Sequence, residues 1–207
     1  MVFRALESVT NQYNLYVPYD PYSPSELSAM AYHGVLRPQF GPYYVDQDVP
    51  DTAAQRAKSV RTAGEQLIVG EWTANLLTAA WIYLGGQAPE MLEAGTTTHQ
   101  RTRLRSRIVP TALRQMDYLD RSDVEDDDLL VIGGIVVTNI ELTIEDLLRY
   151  GGTPRHLDRA RKLAMLASPK LLRERFLEND RYDSETAHQH LAQLRPLQGT
   201  QLATIAD

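Results

Sequence analysis

Residues 128–152, DLLVIGGIVVTNIELTIEDLLRYGG, change hydrophobic period partway along, from that of a strand to that of a helix. The nine residues 129–137 are apolar or Gly throughout. Ile132, Ile135, Val136 and Val137 are β-branched, which suits a buried extended segment. Gly133 and Gly134 interrupt it, so it reads either as one buried strand or as two short strands meeting at a tight turn. From residue 140 the period is helical. Ile140, Ile144, Leu147 and Leu148 share one face, and Glu141, Glu145 and Asp146 lie off it or at its edge. Thr138 stands three residues before Glu141, the spacing of a capping box. Gly151 and Gly152 supply the stop. A buried strand feeding a capped amphipathic helix needs further strands beside it and an apolar layer over it. This unit is therefore expected at the centre of the larger domain.

A chain of 207 residues, 43% of them hydrophobic, can bury one large core or two small ones. The net charge of -6 argues against general polyanion binding and leaves room for a local basic patch. With no cysteine there is no disulfide, no thiolate metal site and no thiol nucleophile. The first residues hold no basic stretch followed by an apolar core, so no signal peptide is expected. No apolar run is long enough to cross a bilayer, and the expectation is a cytoplasmic protein with no membrane partner. There is no internal repeat.

Val2, Phe3, Leu6 and Val9 make a short amphipathic pattern, followed by YNLYVPYDPYSPS with four tyrosines and three prolines. The prolines oppose a long helix. The tyrosines suit a partner surface, or a chain packed across its own domain. Ser23, Pro24 and Glu26 are the start signals of a helix that ends at Gly34. Residues 35–45 read as two extended pieces around Gly41-Pro42. One helix and a hairpin suggest the remnant of a winged helix-turn-helix, with too few residues after Gly34 for a full recognition helix. Asp51 is the expected cap of a helix over 52–63 with Arg56, Lys58 and Arg61 on its exposed face. Residues 67–69 read as strand-like. A helix is expected from Thr73 to Leu84, with Leu76, Leu77, Ala80, Trp81 and Leu84 along one side, and a strand over 91–94. Thr153-Pro154 starts another helix with basic residues at 155, 159, 161 and 162. Pro169 starts a further one to about Asn179, and the last spans 184–194.

Two clusters carry chemistry. In HQRTRLRSRIV, Arg101, Arg103, Arg105 and Arg107 alternate with Thr102, Leu104 and Ser106. In a strand all four guanidinium groups share a face, and like charges so placed call for an anion. That anion is phosphate, nucleic acid, an acidic partner or the chain's own DRSDVEDDD, which has six acidic residues. Within that run, Asp126 and Asp128 are spaced as a metal-binding carboxylate pair, without the Gly-Ser that precedes such pairs in nucleotidyltransferases. His188 and His190, with Asp183 and Glu185 nearby, have a poor spacing for a metal site. P-loop, GxGxxG, GxSxG and HRD motifs are absent.

The order of elements resembles the AbiEi family of bacterial antitoxins, in the branch paired with nucleotidyltransferase toxins (MenA-type antitoxins). SELSAMAYHGVL with PYYV resembles that family's small N-terminal module. RAKSVR followed by LLTAAWIYLGG is similar to its Thr-Ala-Ala-Trp helix and Gly, and VVTNIELTIEDLLRYGG to its "VT…T…DLLR" strand and helix. The resemblance runs from about residue 23 to residue 194. It implies a cytoplasmic protein that counteracts a toxin encoded beside it. Such systems act either by repressing their operon through the winged helix, or by an atypical serine kinase activity that phosphorylates the toxin. A phosphate placed in a nucleotide pocket repels incoming triphosphate.

The expected fold is α+β. A degenerate winged-helix module (1–48) precedes a mixed-sheet domain with flanking helices (49–195) and a flexible tail (196–207). The expected function is that of an antitoxin acting as an atypical serine protein kinase on its toxin, with ATP and Mg²⁺. Arg101, Arg103, Arg105 and Arg107 would hold phosphates, with Asp126 and Asp128 as candidate catalytic carboxylates. The alternatives are a DNA-binding autorepressor of the operon and a stoichiometric partner that blocks the toxin without catalysis.

Overall fold

The computed structural model describes residues 15–68, 70–96, 112–117, 124, 126–178 and 184–194. The arginine run, Asp183 and the expected tail lie outside the described residues. Among those described, no helix is long and apolar enough to cross a membrane.

The chain opens with β1 (Leu15–Tyr16), α1 (Pro24–Tyr32), β2 (Leu36–Phe40) and β3 (Tyr43–Asp46), forming an antiparallel sheet of order β1-β3-β2. Helix α1 starts as expected. Ser23 accepts from the Glu26 backbone, and Glu26 returns a bond to Ser23 N at 2.8 Å. After Gly34 the chain is turn and strand as far as Asp46, with no helix between.

Helix α2 (Ala53–Leu67) is capped by Thr52, which accepts from Gln55 N at 3.2 Å. The expected cap, Asp51, instead pairs with Arg56 at 2.9 Å. Arg56 is not on an exposed face. It is buried against the end of the next helix, donating to the Ile82 and Tyr83 carbonyls. The helix outruns its expected end because Gly64 lets it lie against the Trp72 ring, where any Cβ would overlap. Leu67 is therefore helical rather than strand-like.

Thr73 belongs to β4 (Trp72–Ala74), not to a helix. It pairs with both β5 (Met91–Thr96) and β8 (Ile135–Thr138), and α3 begins only at Leu76 and ends at Leu84. The larger sheet has the order β6-β5-β4-β8-β7, with β6 at Ala112–Asp117 and β7 at Leu129–Ile132. It is mixed: β4/β8 and β5/β6 are parallel, while β4/β5 and β7/β8 are antiparallel. The apolar run 129–137 is thus the hairpin β7–β8, turning at Gly133 and Gly134, which both have positive φ. Only β8 is buried. In β7, Leu130 and Val131 are exposed.

Helix α4 (Ile140–Tyr150) follows, then α5 (Pro154–Ala164), α6 (Pro169–Arg173) and α7 (Ser184–Leu194). Asn139, not Thr138, caps α4, accepting from Leu142 N at 2.8 Å. The Thr138 hydroxyl is instead 2.7 Å from that of Thr143. Helix α6 stops at Arg173, and residues 174–178 form one π turn in place of the expected α-helix.

Helix α3 lies between two apolar clusters, so it is buried nearly all round. Trp81 and Ile82 join the first cluster, with Phe40, Tyr43, Val60, Leu67, Leu92 and Val137. Leu76 and Ala80 join the second, with Ile144, Leu147, Leu163 and Phe176. The expected single stripe of α3 is therefore split. The rings of Phe40 and Trp81 stand 5.5 Å apart, and the first cluster runs across the boundary expected at residue 48.

Candidate functional site

Of the expected site residues, Arg101, Arg103, Arg105 and Arg107 lie outside the described residues. Asp126 and Asp128 lie on a single 3-10 turn leading into β7, and they differ in kind. Asp126 is exposed, whereas Asp128 is buried and its Oδ1 accepts from Arg175 Nη1 at 2.7 Å. The same oxygen lies 3.3 Å from Asn139 Nδ2, which also donates to the Asp127 carbonyl.

Arg175 reaches further. Its Nε donates to Glu145 Oε2 at 2.8 Å, and Glu145 is fully buried on α4. Arg149, one turn along, stands 4.0 Å from the other oxygen of Glu145. His190 on α7 packs edge-on against Phe176 at 5.8 Å. Burial holds its imidazole below the ordinary histidine pKa, with Glu145 pulling upward and Arg149 pulling down. Three separate segments thus meet around one buried charge cluster. Among the described residues, two carboxylates face two guanidinium groups. The cluster's strong, fixed hydrogen bonds suit a lock between the 3-10 turn, α4 and the π turn.

A second buried cluster sits at the start of α3. Asn75 makes no side-chain cap there. The carboxylate of Glu93, on β5, takes that role and accepts from Leu77 N at 2.7 Å. His156 Nε2 stands 3.6 Å from the other Glu93 oxygen, too far for a hydrogen bond. The His156 Nδ1 shares a hydrogen bond with the Thr153 hydroxyl. Leu76 has φ +46, a left-handed backbone that a side-chain-bearing residue rarely adopts. The Glu93 cap lies directly on this strained turn. Glu93, Glu145 and His156 are buried, whereas Arg149 reaches the surface.

Asp128 is already engaged by Arg175 and Asn139, and no three His, Cys, Asp or Glu side chains converge among the described residues. His188 is exposed and His190 half-buried, so the two diverge as their spacing implies.

Sequence reading singled out Asp128 but missed its partners. Glu145 reads as a face-edge residue because its helix is assigned one buried side, and α4 has more. Arg175 looks like any other charge in RERF. Glu93 carried a usable signal, a lone carboxylate between Leu92 and Ala94 in an apolar strand. No protein-family model, curated protein or solved structure matches this chain.

Proposed function

We propose that this chain is an antitoxin that neutralises a nucleotidyltransferase toxin by direct contact. The observation that carries the reading is the meeting of the segments through which the family resemblance runs. Tyr43 and Val45 of PYYV, Trp81 of LLTAAWIYLGG and Val137 of VVTNIEL share one core. The Tyr83 hydroxyl on α3 donates to the Thr138 carbonyl at the end of β8 at 2.7 Å. Segments that resemble a family in order and also pack on one another support it better than order alone.

Direct contact is preferred to the other modes for two reasons. Phosphoryl transfer needs phosphate and metal ligands. Of the candidate carboxylates for it, Asp128 is committed to Arg175. Repression through the N-terminal module needs a basic helix there for the DNA backbone, and the only charged residue of α1, PSELSAMAY, is Glu26.

The three modes separate in one experiment. Purified chain, toxin and Mg·ATP are mixed, and the toxin is examined by intact mass and by size-exclusion chromatography. An unmodified toxin that co-elutes with this chain supports direct contact. A gain of one phosphate replaces that mode with the kinase. An unmodified toxin that elutes alone, with salt-sensitive binding of this chain to the operon promoter, replaces it with the repressor.

A further inference from the structure

Arg155, Arg159 and Lys162 occupy successive turns of α5, and Met165 and Leu166 follow them along the same groove, of about 700 Å³. The opposite wall is the end of α3 at Gly85 and Gly86. Arg159 donates from Nη1 to the Gly85 carbonyl at 3.0 Å and from Nη2 to that of Gln87 at 3.1 Å. Arg155 Nη2 donates to the Gln87 and Ala88 carbonyls at 3.1 and 2.9 Å.

These bonds fix the guanidinium groups, but a carbonyl dipole does not cancel a full charge. Among the described residues, the only carboxylate in the lining is Asp158, held by Lys162 at 2.9 Å. Three positive groups against one negative leave the groove at +2, on a chain whose net charge is -6. Burial lowers the Arg159 pKa first, and the neighbouring Arg155 lowers it further. The far end is apolar and open, with Met165 45% and Leu166 59% exposed.

The layout of the donors indicates the ligand. A lone phosphate is best held by donors that converge on one point. Here the cations are strung along a helix face and give way to apolar side chains, over roughly 16 Å from residue 155 to residue 166 at the helical rise. A linear stripe, charged then greasy, matches a linear ligand of the opposite charge order. We propose that this groove docks an extended acidic segment of a partner protein, with apolar residues at one end of that segment seated on Met165 and Leu166. The identity of the partner as the toxin rests on the antitoxin reading, whereas the chemistry of the groove does not.

The test uses the full chain and a short fluorescein-labelled peptide of alternating Asp and Glu ending in two leucines, followed by anisotropy. Saturable, salt-sensitive binding is expected. Lys162→Glu should weaken it about tenfold, Leu166→Ser should weaken it less, and Asp158→Asn should tighten it. All three changes are at exposed positions, so the fold is spared. Equal affinity across the variants, no binding at all, or equal affinity for a peptide without the leucines overturns the proposal. So does displacement of the peptide by inorganic phosphate or ATP at matched ionic strength, because the site is then a small-anion site. Toxin neutralisation is scored in parallel. If Lys162→Glu neutralises as well as the unaltered chain, the groove assignment fails and the antitoxin reading stands. If the peptide results hold and the unaltered chain does not neutralise, the antitoxin reading fails and the groove stands.

Discussion

Arg175 and Glu145 are 30 residues apart in sequence and are joined by one hydrogen bond of 2.8 Å, with the carboxylate fully buried. The same guanidinium holds Asp128 at 2.7 Å. Removing the cation takes one charged partner away from two buried carboxylates at once. Arg175→Met is expected to lower unfolding stability by about 3–5 kcal/mol, the usual cost of breaking a buried pair from one side. Arg175→Met combined with Glu145→Leu and Asp128→Asn should recover much of that loss. Urea denaturation of the single and triple variants checks both statements. A single variant within about 0.5 kcal/mol of the unaltered protein removes the lock from the account.

Gly64 and Gly34 separate close approach from backbone conformation. A Cβ on Gly64 overlaps the Trp72 ring, whereas one on Gly34 meets nothing within 4 Å and is opposed only by φ +73. Gly64→Ala forces α2 and β4 apart, at about 1–3 kcal/mol. Gly34→Ala should cost about 1 kcal/mol, from the left-handed backbone alone. Thermal melts of the two variants, with near-ultraviolet circular dichroism of the Trp environment, distinguish the cases: only Gly64→Ala should alter the Trp signal.

The local signals in the sequence were sound where a residue acts on its neighbours. Ser23 and Glu26 cap α1, and Pro154 and Pro169 open helices as expected. They misled where a partner far along the chain decides. Thr73 has no local reason to be extended; it is so because β4 fills the slot between β5 and β8. Arg56 looks solvated until the carbonyl end of α3 is laid beside it. The paired carboxylates at 126 and 128 were visible as a motif, but the Arg175 that disarms the second of them was not. Cap assignment at α4 failed for a subtler reason. Thr138 and Asn139 are both good caps, and the Thr143 hydroxyl claims the first.

The His190 imidazole has a pKa below its ordinary 6.5, burial being the main cause and Arg149 a smaller one against Glu145. The folded state therefore takes up its proton later than the unfolded chain as pH falls. Stability from this group is complete above pH 6.5 and declines as the pH drops from there toward the folded pKa. His190→Gln should flatten the stability curve in that window and leave it unchanged at pH 8. Denaturant midpoints between pH 5 and 8 measure this. A variant with the same slope as the unaltered protein places the acid-sensitive group elsewhere.

Tyr83 and Tyr43 respond at the opposite end of the pH scale. Burial raises both hydroxyls well above their ordinary 10.0, and Glu141 adds to the effect at Tyr83. Each stays protonated in the fold at a pH where the unfolded chain has begun to lose the proton. The stability they provide is complete below pH 10 and falls as pH rises past it. At neutral pH, Tyr83→Phe removes the bond to the Thr138 carbonyl and should cost about 0.5–1.5 kcal/mol. Tyr43→Phe likewise removes a 3.0 Å bond to Gln66 Oε1. Above pH 10 the two variants should gain on the unaltered protein, and the double variant should show the flattest alkaline curve. The comparison is stringent because the two hydroxyls serve different contacts. Tyr83 joins α3 to β8, and Tyr43 joins the small sheet to α2. If Tyr83→Phe loses stability and Tyr43→Phe does not, the α3–β8 joint is the stronger restraint and the small sheet is held by its apolar packing on Trp81. The reverse result makes the hydroxyl of Tyr43 the link that holds that sheet in place.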